Sequence, residues 1–162
     1  MSTSVFEQGT LLLGVPAAAA LFGWLIGRLI RGGRPRIEVE HPRIAMSAAY
    51  LRDAHNNRVS NLTRYRCAFE ALYFCLCEVA DARGVEMEGR AHPNDEILRV
   101  GLTALGASSE DSGNAEKLAK WAADTTPALP DISLRDACRL AVRMYDDTVK
   151  LLRSRGFDAR KR

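Results

Sequence analysis

The chain has no lysine or arginine before position 28, no sustained apolar–polar alternation, few histidines and no phosphate-cradling glycine loop. Each absence removes a class of structure or function. Without period-two runs of β-branched residues, strands are not expected. The three histidines, His41, His55 and His92, lie more than ten residues apart, and none has another His or Cys at ligand spacing. A metal site would therefore need assembly entirely by tertiary structure. Gly32-Gly33 and the spaced pair Gly101 and Gly106 lack the Gly-Lys-Ser/Thr continuation of a nucleotide loop. No cofactor is expected.

Of the four cysteines, Cys67, Cys75 and Cys77 share one apolar stretch and Cys138 stands apart. Cys75 and Cys77, two positions apart on a helix, point to different sides, which is poor geometry for a disulfide. They read as reduced thiols packed as small hydrophobes, in keeping with a reducing compartment.

What is present is a globular composition, 47% hydrophobic and 27% charged in 162 residues, with a net charge of +3. The charge is unevenly placed. Residues 1–27 contribute only Glu7, and residues 28–36 contribute Arg28, Arg31, Arg34 and Arg36. The 23 basic and 20 acidic groups of the whole chain then leave 19 of each for residues 37–162. A neutral domain argues against bulk nucleic-acid binding, which needs a basic face, and does not exclude a local basic patch. Arginine outnumbers lysine 19 to 4, the skew of a GC-rich bacterial coding sequence.

From Gln8 to Gly27 no residue is charged, and Gly9–Ile30 is apolar except for Arg28. At 1.5 Å per residue this stretch reaches roughly 30 Å, the thickness of a bilayer's hydrocarbon. Arg28 can snorkel and Trp24 suits the interface at the same end. The arginines follow the segment, so the positive-inside rule predicts a single-pass anchor in the plasma (inner) membrane with the C-terminal domain cytoplasmic. A cleaved signal peptide is less suited, since it wants a basic start. Ala19, Gly23 and Gly27 form a small-residue stripe that could pair two anchors, giving a homodimer. Arg28, Arg31, Arg34 and Arg36 are expected to contact anionic lipid headgroups, at about 1 kcal/mol each.

Beyond Glu40 the apolar residues recur at helical spacing. The pattern predicts a first helix over Ile44–Asn56 and a second, central one over Leu62–Ala82, capped by Ser60 or Asn61 and ended near Gly84. The second is apolar on nearly every side, so others should surround it. A third helix is predicted from Pro93 to Leu105, a turn-rich break over Ser108–Asn114, and a fourth helix over Ala115–Asp124. Pro127 and Pro130 imply an extended connection. Ser133 and Asp136 have capping-box spacing before a last helix to about Leu152. The expected fold class is all-α: one N-terminal transmembrane helix plus a compact four- to five-helix bundle. Its divisions are a tail (1–8), the membrane helix (9–30), a basic juxtamembrane linker (31–43), the bundle (44–155) and a basic tail (156–162).

The pattern resembles the HEPN superfamily of small helical domains. The resemblance covers roughly residues 44–153. It rests on the aromatic-rich stretch Arg64-Tyr-Arg-Cys-Ala-Phe-Glu-Ala-Leu-Tyr-Phe, the polar loop to His92-Pro93, and the Pro127–Pro130 connection before a capped last helix. Active members are metal-independent ribonucleases using Arg, four to six residues, then His on late helices of a dimer. Here only His41 has Arg at that spacing, Arg36 or Arg34, and these lie in the linker. The resemblance thus implies a member without the nuclease site, acting as an interaction domain.

No other constellation suggests catalysis. Asp146-Asp147 diverge by about 100° on a helix. Glu86 and Glu88 lie beside Arg83 and Arg90 as surface charge, and Tyr65, Phe69, Tyr73 and Phe74 at helical spacing read as core. The expected function is a membrane-tethered, non-catalytic helical interaction or scaffolding module for a protein partner. The alternatives are a HEPN-type ribonuclease or toxin, and a small accessory subunit of a larger membrane complex.

Overall fold

The computed structural model describes Ile37, residues 40–124 and residues 128–159. The anchor over 9–30, its pairing face Ala19, Gly23 and Gly27, and the arginines Arg28, Arg31, Arg34 and Arg36 lie outside the described residues. Among the described residues no helix is long and apolar enough to cross a membrane.

The described residues are all-helical, with no strand. Five helices follow in order: α1 (Pro42–Ala54), α2 (Asn61–Asp81), α3 (Asp95–Leu105), α4 (Ser109–Ala123) and α5 (Leu134–Ala159). As its all-round apolarity predicts, α2 is the hub and touches each of the other four. It supplies the fully buried side chains Phe69, Leu72, Leu76 and Val79. The main core adds Ile97, Leu98 and Leu102 from α3, Leu118 from α4, and Leu140 and Met144 from α5. Tyr65, Phe69 and Tyr73 are buried as read, and Phe74 stacks on Tyr50 at 5.8 Å.

The helix starts are set by short polar side chains accepting from exposed amides. Ser60 Oγ accepts from Thr63 N at 3.1 Å, and Ser133 Oγ accepts from Asp136 N at 3.1 Å, both as the sequence predicts. Two starts differ from expectation. Pro93 is not in the first turn of α3: it follows a cis bond from His92, and Asn94 caps instead, accepting from Glu96 N and Ile97 N. The expected break over Ser108–Asn114 is helix from Ser109 onward. Ser108 Oγ accepts from Asp111 N at 3.1 Å, and Asp111 is held by an α5 arginine described below. Turn-forming residues thus became a cap and a first turn, because tertiary partners satisfied them.

Boundaries move for similar reasons. Pro42 opens α1, where its missing N–H costs nothing, so Pro42 and Arg43 belong to the bundle and not to a linker. Ile37 is also buried, packed with Ile44, Cys75, Val149 and Leu152 in a second apolar cluster. His55, expected on the apolar side of the first helix, is its exposed C-cap residue. At the other end α5 runs to Ala159, past the Leu152 limit and into the expected basic tail. Gly84 takes a left-handed φ of 85° as α2 unwinds, and Val85 N bonds Ala80 O at 3.0 Å.

Candidate functional site

The carbonyl of Ala54, near the end of α1, would lack an intrahelical partner. Two side chains from other helices reach it. Arg64 Nε of α2 donates at 2.9 Å, and Cys138 Sγ of α5 donates at 3.7 Å. This junction fixes the end of α1, the first turn of α2 and the start of α5 around one point. Tyr65 reinforces it by donating from Oη to Ile132 O at 2.8 Å, just before α5 begins.

Above the junction opens a groove of about 480 Å³ lined by His55, Arg64, Leu134, Arg135, Cys138 and Arg139. Its lining carries three guanidinium groups, one imidazole and no carboxylate. Arg135 and Arg139 stand four residues apart on α5 and so share a face. Arg139 has an exposed ion pair with Asp136 at 3.4 Å. Arg64 uses Nε structurally, which orients the rest of its guanidinium. His55 Nδ1 bonds Leu51 O at 2.8 Å, which fixes its ring. Burial pushes the Cys138 thiol up from its ordinary value, and the positive Arg64 opposes that rise. The first turn of α5 adds the positive end of a helix dipole. Such a groove can hold an anion by charge-assisted hydrogen bonds.

The other two histidines are placed differently. His41 Nδ1 lies 2.7 Å from Glu78 Oε1, and Arg43 Nη1 lies 2.5 Å from Asp81 Oδ2, tying α1 to the last turns of α2. His92 Nε2 lies 2.9 Å from Glu70 Oε2, and its ring sits 4.4 Å from that of Tyr73. Tyr73 Oη accepts from Asn94 N at 3.0 Å, so His92 and Tyr73 brace the loop before α3. Burial pushes Tyr73 up to about 12 and Cys77 up to about 11. Neither is poised to ionise near neutrality. Arg90 bonds the Glu86 carbonyl and pairs with Glu96, so its carboxylate partner is Glu96 and not Glu86 or Glu88.

All four cysteines are free; Cys67, Cys75 and Cys138 are buried and Cys77 is half-buried. No group of three or more His, Cys, Asp or Glu among the described residues could hold a metal ion. The one buried side-chain polar atom without a hydrogen bond among the described residues is Thr148 Oγ1, on α5. It belongs to the packed interior beside Cys75 and Ser47 rather than to the groove.

The sequence did not point to the groove, because its residues come from three segments with no common spacing. His55 had no arginine at a recognisable interval, and folding supplies three. The only available signal was the arginine pair at i, i+4 on the last helix. Arg36, one partner at the HEPN-like spacing to His41, lies outside the described residues, as does Arg34. No family model, curated protein or solved structure matches this chain.

Proposed function

We propose that the protein is a membrane-tethered helical recognition module. Residues 9–30 anchor it, Arg28, Arg31, Arg34 and Arg36 sit against anionic headgroups, and the bundle lies in the cytoplasm. The apolar run followed by all the net positive charge supports this topology. Tethering raises the local concentration of whatever the bundle holds at the membrane surface. The single observation that carries the recognition role is the groove of about 480 Å³ with cations on several sides and no carboxylate in its lining. A cavity of that size suits a small ligand or a partner's side chains.

The test has two parts. Alkaline carbonate extraction of membranes should leave the full chain in the pellet; release into the supernatant would end the anchored reading. Affinity purification of the full chain, beside an Arg64→Gln/Arg135→Gln variant, should recover a ligand or partner lost from the variant. Identical recoveries would remove the groove from the proposal.

A second reading, a HEPN-type ribonuclease, draws support from one observation. His55 shares its groove with Arg64, Arg135 and Arg139, the residue types such enzymes use. RNA degradation by the full chain, abolished by His55→Ala, would favour it over the non-catalytic module.

A further inference from the structure

We infer that residues 153–162, the far end of α5 and the stretch after it, form a second contact with anionic lipid headgroups. The inference rests on the anchored reading of residues 9–30 and concerns a different part of the chain from the groove. Charge, placement and reach carry it.

The chain from residue 37 onward is neutral only in sum. Of its 19 basic and 19 acidic groups, residues 153–162 hold Arg153, Arg155, Arg160, Lys161 and Arg162 against Asp158 alone. That leaves 14 basic and 18 acidic groups for residues 37–152. The bundle is thus an acidic body with a basic extension. An anionic bilayer repels the first and attracts the second. A cluster of Lys and Arg of this size near a membrane-spanning segment is the composition that collects acidic lipids. Phe157 lies among these charges, and basic residues combined with Phe suit the boundary between headgroups and acyl chains.

In sequence the extension is remote from the anchor, and folding removes that separation. Ile37, next to Arg36, is buried in one apolar cluster with Ile44 of α1 and with Val149 and Leu152 of α5. Arg153 and Ser154, directly after Leu152, are exposed, and α5 continues to Ala159. That continuation adds about 10 Å of helix beyond the cluster. Two basic segments from opposite ends of the sequence are therefore attached to members of one cluster, Ile37 and Leu152. Three acids at this end, Glu78, Asp81 and Asp147, already hold His41, Arg43 and Lys150, so they do not offset the extension.

Reach follows from chain length. From Ile30 to Ile37 the chain spans about 25 Å at full extension. Whatever path it takes, an anchor ending at Ile30 keeps the Ile37 end of the bundle within that distance of the bilayer. Residues 153–162 cover about 15 Å as helix and up to about 34 Å extended, so they can close the gap. The groove lies at the other end of the 13-residue helix α1, about 20 Å away, where it stays open to the aqueous phase.

The test uses the full chain, reconstituted into vesicles of phosphatidylcholine alone or with one-third phosphatidylglycerol. Cys77→Ser removes the one half-buried thiol, and Ala159→Cys or Asn57→Cys then carries a fluorophore. Quenching by a headgroup-attached acceptor reads the distance to the lipid surface. Quenching at position 159 should be at least about twofold greater with phosphatidylglycerol, and should fall back in about 1 M salt. Position 57, at the groove end, should not respond to lipid charge. Arg153→Gln, Arg155→Gln, Arg160→Gln, Lys161→Gln and Arg162→Gln together should abolish the lipid dependence at position 159 while thermal unfolding of the bundle is unchanged.

Equal quenching at position 159 in both lipids, or a response that survives the five substitutions, overturns the inference. Binding of single-stranded RNA that depends on the five residues, without any response to phosphatidylglycerol, overturns it too. Alkaline carbonate extraction of the same vesicles reads the anchor separately. Retention in the pellet without lipid-dependent quenching sinks the second contact alone. Release ends the anchored reading, and quenching that still follows phosphatidylglycerol then supports the contact without it.

Discussion

Gly101 of α3 lies directly against Leu76 of α2: a Cβ built on the glycine would sit 2.9 Å from Leu76 Cβ and 3.0 Å from its Cα. The two helices therefore meet with almost no side chain between them. Leu76 is fully buried at the hub of the core, so it has little room to retreat. The glycine is the condition for α3 approaching this closely.

Gly101→Ala should therefore destabilise the protein. Alanine is favoured over glycine in a helix by about 1 kcal/mol. Overpacking of this kind costs roughly 1–3 kcal/mol, and the contact with Leu76 Cα cannot be relieved by a rotamer change. Gly113 of α4 provides the contrast, since a Cβ there meets nothing within 4 Å. Urea unfolding should show Gly101→Ala losing stability and Gly113→Ala gaining about 0.5–1 kcal/mol. Equal effects would disprove the close approach.

Arg143 Nη1 of α5 donates to Asp111 Oδ2 at 2.6 Å, and Ser108 Oγ donates to the same oxygen at 2.9 Å. Asp111 is nearly buried whereas the arginine side chain is 47% exposed. Solvent screens such a half-exposed pair, so Arg143→Met should cost about 1–2 kcal/mol rather than the larger penalty of a fully buried charge. Adding Asp111→Leu should recover part of that loss. A double-mutant cycle with no coupling energy would remove the pair as the reason α4 begins at Ser109.

Thr148 is fully buried and its hydroxyl makes no hydrogen bond. Valine has the same shape without the polar atom. Thr148→Val should raise stability by about 1 kcal/mol, because an unsatisfied buried hydroxyl costs roughly that much. A loss in thermal unfolding would mean that the hydroxyl has a partner after all.

Burial pushes the Cys75 thiol up to about 12 from an ordinary 9.0, against the smaller lowering effect of the Ser47 hydroxyl 3.1 Å from its sulfur. Between those values the unfolded chain releases the proton and the folded chain retains it. Its contribution is therefore fully present below about pH 9 and is lost as pH rises toward 12. Chemical denaturation should show stability declining across that alkaline window, and less steeply in Cys75→Ala. Native alkylation at mildly alkaline pH should also spare Cys75. Fast labelling there would contradict its burial.

The sequence also predicts that Ala19, Gly23 and Gly27 pair two anchors. Gly23→Leu and Gly27→Leu should then abolish self-association in a membrane two-hybrid assay. Unchanged association would rule out this face.

Local chemistry determined much of the bundle. Ser60 and Ser133 could be read as caps because a hydroxyl three residues before an amide needs no distant partner. The all-round apolarity of α2 announced its central position, since such a helix must be covered on every side. The same reading identified four packed thiols and an aromatic core. It also isolated the apolar segment and arginine cluster before residue 37, whose lengths and charges are properties of the chain itself. Tertiary structure decided the rest. Residues 108–114 carry turn-forming side chains, and only Arg143, arriving from α5, makes helix the better use of Asp111. Pro93 is a favourable first-turn residue, yet Asn94 caps because Tyr73 and His92 brace the preceding loop. The groove was least legible of all. His55, Arg64 and Arg135 lie on separate segments, and nothing in their spacing says that Ala54 O will draw the three segments together. Periodicity records which face of a helix is buried; only packing decides which exposed faces meet.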